Sequence, residues 1–312
     1  MKRISDRQKP VLVTGSEGAI GSYVCSSFPR NTPLIRCGRE LSKLKCREMD
    51  QCFTGDLGDY EFCNFLNRES DFDTVIYLAG YWRGLECDGS SIGNNVEPVA
   101  NFLKGCGEKL RHVIYLSSSA VYAGSSDPER SENDFPKSFY GQGKLLCEEL
   151  LCRASHKYGF DLTIIRPFHV CSPFESFYPG RSHLLTNLYK KIFDSEGSLA
   201  GEHLPADIYV PLYWVGDLTD VILECLQRPF KGVSSFNVGS ASSFSIDQIA
   251  RCMEERIFYG PQMPRADRTG AEFIGISSEI FFTDGAPRSS RTCRNLEEIV
   301  NLFVTEKESI LP

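Results

Sequence analysis

Short apolar runs alternate with amphipathic stretches through the first half of the chain. The β-rich runs are bounded by glycine, proline or polar residues, and they cover residues 11–14, 34–37, 73–78, 112–116 and 162–167. Amphipathic stretches such as residues 20–28 separate them. Strands of this length between helical stretches are typical of parallel βαβ units. The pattern therefore predicts an α/β fold built on a doubly wound parallel sheet.

The alternation weakens after about residue 170, where glycine, proline and aromatic residues become denser. Helix-like spacing returns at residues 184–193, 217–226 and 245–257. We expect a main domain over residues 1–170, completed by returning elements from 205–245. A smaller C-terminal lobe is expected from residues 171–204 and 246–312. In such folds, ligands bind over the carboxyl ends of the strands, beneath a lobe of this kind.

Bulk properties narrow the class of protein. A net charge of −7, with 41% hydrophobic and 24% charged residues, is that of an ordinary globular protein and argues against a nucleic-acid surface. No apolar run approaches the roughly 20 residues that span a bilayer, and the basic start leads into no signal-peptide core, so a cytoplasmic protein is expected. The 13 cysteines form no C-x-x-C pair. We predict that they are reduced and mostly buried, with no metal site.

Three glycines stand between the first strand and the first helix, spaced G-x-x-G-x-x-G at Gly15, Gly18 and Gly21. The first allows a tight turn, the second lets a pyrophosphate approach the backbone, and the third packs helix against strand. N–H groups at the helix start would then face the phosphates. The context predicts a dinucleotide site. Its residues in this turn are Gly15, Glu17, Gly18, Ala19, Ile20 and Gly21.

The residues after the second strand bear on which dinucleotide binds. An acid there accepts a hydrogen bond from the adenosine ribose and favours NAD, whereas an arginine accommodates a 2′-phosphate. The chain has no Asp at this strand end, and it places Arg36 and Arg39 nearby. NADP(H) is therefore favoured, with NAD(H) as the alternative. Asp56 and Leu57 are placed to contact the adenine.

Tyr140 and Lys144 open a helix with i, i+4 spacing, which puts both side chains on one face. An ammonium beside a phenol lowers the pKa of the phenol, so Tyr140 could exchange a proton with an alcohol as hydride moves. A serine run at residues 117–119 follows an earlier strand and supplies a group to hold the substrate oxygen. Gly141 and Gly143 weaken a helix, which suggests close approach of the cofactor.

Together these motifs resemble the extended short-chain dehydrogenase/reductase family, the NAD-dependent epimerases and dehydratases that mostly act on nucleotide sugars. The resemblance covers nearly the whole chain and implies a Rossmann-type domain with a C-terminal substrate-binding lobe. It implies Ser118, Tyr140 and Lys144 as catalytic residues, with Lys144 also holding the nicotinamide ribose. It further implies a homodimer formed through helices that include the one carrying Tyr140. The remaining implied residues are Leu78, Ala79, Gly80, Asn95, Pro167, His169 and Val170 at the cofactor, and Ser119 at the substrate.

The same resemblance bears on the reaction. Family dehydratases carry an Asp-Glu pair where this chain has Ser119 and Ala120, so dehydration is not expected. Residues 173–183 are similar to those of GDP-fucose synthase-like keto-sugar reductases, and His183 falls on their acid/base histidine. NADPH-dependent reduction of a nucleotide-linked 4-keto sugar is the favoured reaction. The alternatives are a nucleotide-sugar 4-epimerase with tightly bound NAD and a non-catalytic, cofactor-binding regulatory protein.

Some positions depart from the family pattern. His169 stands where the family usually has Asn, and Val210 stands where many members carry an arginine that grips the nucleotide. Arg265, Arg268 or Arg288 could substitute for the missing arginine.

Overall fold

The computed structural model describes residues 9–40, 46–82, 88–122, 135–177, 183–194, 207–240, 242–259, 291–292 and 294–310. The strands are β1 Val11–Thr14, β2 Leu34–Gly38, β3 Gln51–Thr54, β4 Thr74–Tyr77, β5 His112–Leu116, β6 Asp161–Pro167, β7 Val170–Cys171, β8 Tyr209–Val210, β9 Tyr213–Trp214, β10 Val233–Ser240, β11 Phe244–Ser245 and β12 Arg291–Thr292. The helices are α1 Ala19–Ser27, α2 Tyr60–Glu69, α3 Ser90–Cys106, α4 Phe139–Tyr158, α5 Leu184–Asp194, α6 Val215–Gln227, α7 Ile246–Tyr259 and α8 Leu296–Ile310.

An eight-stranded sheet in the order β3-β2-β1-β4-β5-β6-β10-β12 forms the centre of the fold. Every neighbouring pair in it is parallel. The order reverses at β1, because the chain first moves outward to β3 and then returns to β4 on the other side. The prediction of a doubly wound parallel sheet is confirmed. The reversal opens a crevice at the carboxyl ends of β1 and β4, which is where such sheets bind ligands.

Helices cover both faces of the sheet because its strands carry apolar side chains on both sides. Strands β1, β2 and β5 are buried at every position. One apolar cluster packs α2, α3 and α4 on one face, and a second packs α1 and α6 on the other. Strands buried on both faces read as continuous apolar runs. This is why β1 and β5 have the same bounds in the sequence prediction and in the structure.

A third apolar cluster joins α5, α7 and α8, and it also takes in Trp214 and Val215. It corresponds in place to the expected C-terminal lobe. The main sheet nevertheless draws β12 from the range 246–312 assigned to that lobe. The exact division of the chain into two units stays a prediction. Within the described parts of the chain, no helix is both long and apolar enough to span a bilayer.

The cysteines divide into two groups. Among the nine described free cysteines, eight are buried and Cys152 is half-buried, as the prediction of small buried hydrophobic residues required. Cys46 and Cys52 instead form a disulfide that links β3 to the segment before it. The prediction that all cysteines are reduced is therefore wrong for this pair. The two residues lie only six positions apart, and the irregular spacing of the cysteines gave no sign of the bridge.

Candidate active site

The glycine turn forms a phosphate-sized cradle at the start of α1. Gly15 has a φ of +63°, which only glycine adopts readily, and the N–H of Gly18 donates to its carbonyl oxygen at 3.0 Å. A Cβ at Gly21 would lie 2.1 Å from that same oxygen, so only glycine lets the helix pack here. No side chain caps α1, which leaves its first N–H groups for a bound anion. The turn therefore fits the pyrophosphate of a dinucleotide.

A cleft of about 540 Å³ extends from this turn along the carboxyl ends of β1, β2, β3 and β4. Ten of the residues predicted to bind the cofactor line it, and they are Gly15, Glu17, Gly18, Arg39, Asp56, Leu57, Leu78, Ala79, Gly80 and Asn95. Nine further lining residues were not predicted, and they are Cys37, Gly38, Gly55, Gly58, Asp59, Tyr81, Asn94, Glu97 and Pro98. Most of these are direct neighbours of predicted residues. Asn94, Glu97 and Pro98 share a face of α3, a helix that the sequence analysis did not predict.

Thr14 and Asn95 fix the wall of the cleft after β4. The Thr14 hydroxyl accepts hydrogen bonds from the N–H groups of Leu78 and Ala79, both at 3.2 Å. The Asn95 side chain accepts from the N–H of Tyr81 at 3.0 Å and donates to its carbonyl oxygen at 2.9 Å. Asn95 therefore lines the cleft, but its amide binds the protein backbone. These two hydrogen bonds hold the segment after β4 in place.

The two arginines near the end of β2 have different environments. The Nε of Arg36 lies 3.1 Å from an Asp50 oxygen, with both side chains almost fully buried. Although burial alone raises the pKa of Asp50, hydrogen bonds from Arg47 and the charge of Arg36 hold it below its usual value. Arg36 therefore lies within the protein and does not line the cleft. Arg39 does line it, and its side chain is exposed.

Tyr140 and Lys144 lie in the first turns of α4. Ser138 caps this helix, its hydroxyl accepting from the N–H of Gly141 at 3.0 Å. The Lys144 ammonium is buried, donates to the carbonyl oxygen of Leu116 at 2.8 Å, and lies 6.0 Å from the centre of the Tyr140 ring. Burial lowers the pKa of Lys144 to about 8. A desolvated cation beside a phenol favours the phenolate form.

Gly141 brings α4 against the turn that carries Ser118. A Cβ at Gly141 would lie 2.0 Å from the carbonyl oxygen of Ala120, so no other residue fits without displacing the backbone. In that turn, the Ser118 hydroxyl accepts from the N–H of Ala120 at 3.1 Å, and Ser119 follows directly. The suggestion that Gly141 and Gly143 admit the cofactor is not what their contacts show. Gly141 packs against Ala120, and Gly143 packs against the backbone of α3.

A buried ionic network lies behind these residues. Both carboxylate oxygens of Glu148 accept from Arg166, at 2.9 and 2.6 Å, and one also accepts from the Ser117 hydroxyl at 2.5 Å. Arg166 further donates to the Tyr122 hydroxyl, which donates to Asn237. The network ties α4, β6 and β10 to the strand end next to Ser118. The sequence analysis did not single out Glu148, which lies one helical turn after Lys144.

The remaining predicted residues lie around the carboxyl end of β6. Pro167 ends that strand and Val170 opens β7, which pairs with β9. His169 between them has a φ of +42°, and its carbonyl oxygen accepts from the N–H of Tyr213 at 3.1 Å. Ala19 and Ile20 open α1, where the Ala19 carbonyl accepts from Ser172 at 2.8 Å. The structure therefore brings the segment 167–172 against the start of α1.

His183 precedes α5 and stacks on Trp82, with ring centres 4.1 Å apart. Its backbone N–H donates to buried Glu175 at 3.0 Å. Burial and, to a smaller extent, the charge of His183 lower the pKa of His169. Val210 lies in β8, paired with Phe244. Arg265, Arg268 and Arg288 lie outside the described residues.

The fold and the glycine cradle are those of an enzyme of the nicotinamide-dependent short-chain dehydrogenase/reductase class. The chain belongs to the NAD dependent epimerase/dehydratase family, whose model matches residues 11–239.

Relatives at low identity agree with this assignment. A probable GDP-L-fucose synthase 1 from Oryza sativa subsp. japonica is 23% identical over 272 residues, covering 81% of this chain and 78% of that protein. The solved UDP-glucose 4-epimerase of Thermotoga maritima superposes with a TM-score of 0.73 at 16% identity, covering 97% of this chain and 100% of that one. The enzyme WbmH of Bordetella bronchiseptica, solved in complex with NAD+, gives a TM-score of 0.74 at 16% identity, covering 97% and 99%.

Proposed function

We propose that this protein transfers hydride between a bound nicotinamide cofactor and a ring alcohol or carbonyl of a nucleotide-linked sugar. The observation that carries the proposal is the buried Lys144 ammonium beside Tyr140. Gly141 packs α4 against the turn of Ser118, and the ammonium lies beside Gly80, which lines the cleft. The nicotinamide supplies the hydride acceptor or donor when it is bound. The relatives that act on nucleotide sugars support the choice of substrate class.

Each of the three residues has a distinct role in this proposal. Ser118 donates a hydrogen bond to the substrate oxygen and fixes its position. Tyr140 as phenolate takes the hydroxyl proton while the carbon loses hydride, so an alcohol becomes a carbonyl and the proton stays on Tyr140. In the reverse direction Tyr140 returns that proton. Lys144 stabilises the phenolate, and because an ammonium has three donors it retains capacity for a ribose hydroxyl after its bond to Leu116.

Of the two reactions left open by the sequence, 4-epimerisation with bound NAD is now the better supported. The NADPH hypothesis relied on two arginines, and Arg36 is committed to Asp50. In epimerisation, oxidation at C4 is followed by return of hydride to the opposite face of the ring. This needs no group beyond Ser118, Tyr140 and Lys144. It also needs no acid pair at Ser119 and Ala120, where dehydratases carry one.

NADPH-dependent reduction of a nucleotide-linked 4-keto sugar is the second candidate. The observation that favours it is the stacking of His183, the proposed acid/base residue, on the ring of Trp82. Trp82 directly follows Tyr81, which lines the cleft. Similarity to the rice GDP-L-fucose synthase points the same way. A His183→Gln variant that kept the wild-type rate of keto reduction would remove His183 from the mechanism.

One experiment separates the two reactions. The purified protein is denatured, the released dinucleotide is identified, and the native protein is incubated with UDP-hexoses or with 4-keto sugars plus NADPH. Epimerisation predicts released NAD and interconversion of hydroxyl sugars without net redox change. Reduction predicts oxidation of added NADPH. Tyr140→Phe must abolish either activity, whereas Tyr158→Phe at the other end of α4 must not. If the Tyr140→Phe variant kept the activity of the wild type, the proposal would be overturned. If the wild type showed neither activity, the non-catalytic alternative would be favoured.

We also propose a homodimer formed through α4. Phe139 and Leu146 lie seven residues apart on this helix, hence on one face, and they are 42% and 41% exposed. Two large apolar side chains in one exposed stripe favour a protein interface. Light scattering of the wild type should give twice the monomer mass, and Leu146→Glu should give the monomer mass. A monomeric wild type would contradict this proposal.

A further inference from the structure

The carboxylate of Glu17 lies across the end of β2. One of its oxygens accepts a hydrogen bond from the backbone N–H of Arg39 at 2.8 Å. The other lies so close to Gly38 that a Cβ there would meet it at 1.7 Å. Gly38 is therefore the residue that makes room for this carboxylate. Strand β2 has no acidic residue at its own carboxyl end. The carboxylate of Glu17, which belongs to the glycine turn, therefore occupies that position.

The second oxygen of Glu17 has an unusual environment. It is shielded from solvent, and among the described residues it has no hydrogen-bond partner. A buried acceptor without a donor costs free energy, so each such atom in a native protein needs an explanation. Glu17 lines the same cleft as Gly38, Arg39 and Asp56. A hydroxyl donor from a ligand in that cleft would complete the set of hydrogen bonds.

The charge at this point matters as much as the missing donor. The carboxylate lies at the end of β2, where its negative charge adds to burial in raising the pKa of the Cys37 thiol. A carboxylate there accepts from the 2′-hydroxyl of an adenosine ribose. A 2′-phosphate has no donor to offer when ionised and would carry its own negative charge to the same place. Like charges at hydrogen-bonding distance repel strongly.

The arginines do not offset this charge. Arg36 is buried against Asp50 and does not line the cleft. Arg39 holds Glu17 through its backbone N–H, while its side chain is exposed to solvent, where a charge contributes less.

We infer that Glu17 is the residue that makes this site select NAD(H) over NADP(H), by accepting a hydrogen bond from the adenosine 2′-hydroxyl. The inference rests on the proposed function only in that the cleft takes a nicotinamide dinucleotide. It replaces the preference for NADP(H) drawn from the sequence.

The test is equilibrium binding of NAD+ and NADP+ to the full chain, freed of any bound cofactor, by titration calorimetry. We expect the wild type to bind NAD+ more tightly, by on the order of ten-fold or more, a factor that corresponds to about 1.4 kcal/mol. Glu17→Gln keeps an acceptor for the Arg39 N–H and replaces the unpartnered oxygen by a donor amide. It should lower the ratio of the two dissociation constants by about ten-fold, mainly through tighter NADP+ binding.

Two further variants make the result specific. Glu17→Ala should also lower the ratio, and Glu48→Gln, which removes an exposed carboxylate that does not line the cleft, should leave it unchanged. Tighter wild-type binding of NADP+, or an unchanged ratio in Glu17→Gln, would overturn the inference while the proposed function stands. Absence of binding of either dinucleotide would overturn both. Binding with the expected ratios but no turnover of any sugar would overturn only the proposed function.

Discussion

The ammonium of Lys144 donates a hydrogen bond to the carbonyl oxygen of Leu116 at 2.8 Å, which fastens α4 to the last residue of β5. A Cβ at Gly80, which lines the cleft, would lie 3.3 Å from the same nitrogen. Lys144 therefore lies between the end of β5, the helix α4 and the cleft. Its position links Tyr140, the proposed proton-handling residue, to the cleft that is proposed to hold the cofactor.

Replacement of Lys144 by Met should abolish turnover with little loss of stability. Methionine fills the buried site without a charge, so the desolvation cost of the ammonium disappears along with its hydrogen bond. We expect kcat/KM to fall on the order of 100-fold or more, as for loss of a group that supports general acid–base catalysis. Lys157→Met, at the exposed end of the same helix, is the control. Steady-state kinetics provide the measurement. A Lys144→Met variant as active as the wild type would contradict the proposed catalytic role of Lys144.

Gly141→Ala should damage the site by geometry alone. The added methyl group would lie 2.0 Å from the carbonyl oxygen of Ala120, so α4 must move away from the Ser118 turn. Overpacking of this kind costs about 1–3 kcal/mol. In contrast, Gly93→Ala in α3 meets no atom within 4 Å and should stabilise the protein by about 0.5–1 kcal/mol. Urea unfolding and activity assays of both variants test this, and equal effects would refute it.

Replacement of the adjacent acids Glu148 and Glu149 on α4 should change the free energy of unfolding by different amounts. Glu148→Gln breaks a buried bidentate pair with Arg166 and should cost about 3 kcal/mol, with loss of activity because the Ser117–Ser118 segment loses its anchor. Glu149→Gln breaks an exposed pair with Arg153 and should change stability by less than about 0.5 kcal/mol. Both are measured by the free energy of unfolding. Comparable values for the two would show that the Glu148 network is not a structural anchor.

Buried thiols should make the protein unusually sensitive to alkaline pH. Burial raises the pKa of Cys25 to about 11 and that of Cys63, Cys106, Cys225 and Cys252 to about 12. In the unfolded chain these thiols ionise near 8.5. Their stabilising effect is thus complete below that pH and is lost as pH rises toward the folded values, by about 1.4 kcal/mol per unit for each group.

Two buried lysines change the free energy of unfolding in the opposite direction as pH rises, but there are fewer of them than there are buried thiols. Burial lowers the pKa of Lys144 and Lys307 to about 8, so their contribution makes stability rise with pH above that value. The net prediction is a fall in the free energy of unfolding between pH 8 and pH 10, measured in urea with a reductant present. Cys225→Ala should reduce the slope by about 1.4 kcal/mol per pH unit. A flat profile would mean that the thiols ionise in the folded state.

The sequence predicted those elements whose signal is local. The strands β1 and β5 are buried on both faces, and the glycine turn has a fixed spacing, so both could be read directly. Helices α2, α3 and α8 were not named. The burial of α3 combines Ser91 and Asn95 with apolar residues, and Pro98 interrupts it, so its periodicity is weak. Strand β10 was not predicted, because its sequence VSSFNVGS mixes polar and apolar positions.

Side-chain direction was harder to predict than position. Arg36 and Glu17 both lie near the end of β2, and only their orientation decides which reaches the cleft. Arg36 turns inward because Asp50, 14 residues later, offers a buried partner. Glu17 reaches β2 because Gly38 leaves space for it. Neither contact has a local sequence signature, since each depends on two segments meeting in the folded protein.

Helix α1 belongs to two apolar clusters at once. Val24, Cys25 and Phe28 pack under the main sheet. The ring of Tyr23 lies 5.8 Å from Trp214 and 6.2 Å from Phe174, and its hydroxyl donates to Glu306 of α8 at 3.4 Å. The helix whose first turn is proposed to bind the phosphates is thus also a packing surface for the C-terminal elements. Unfolding of either part exposes the same helix, so the chain should lose its structure in a single cooperative step, and a bound dinucleotide should delay that step for the whole molecule.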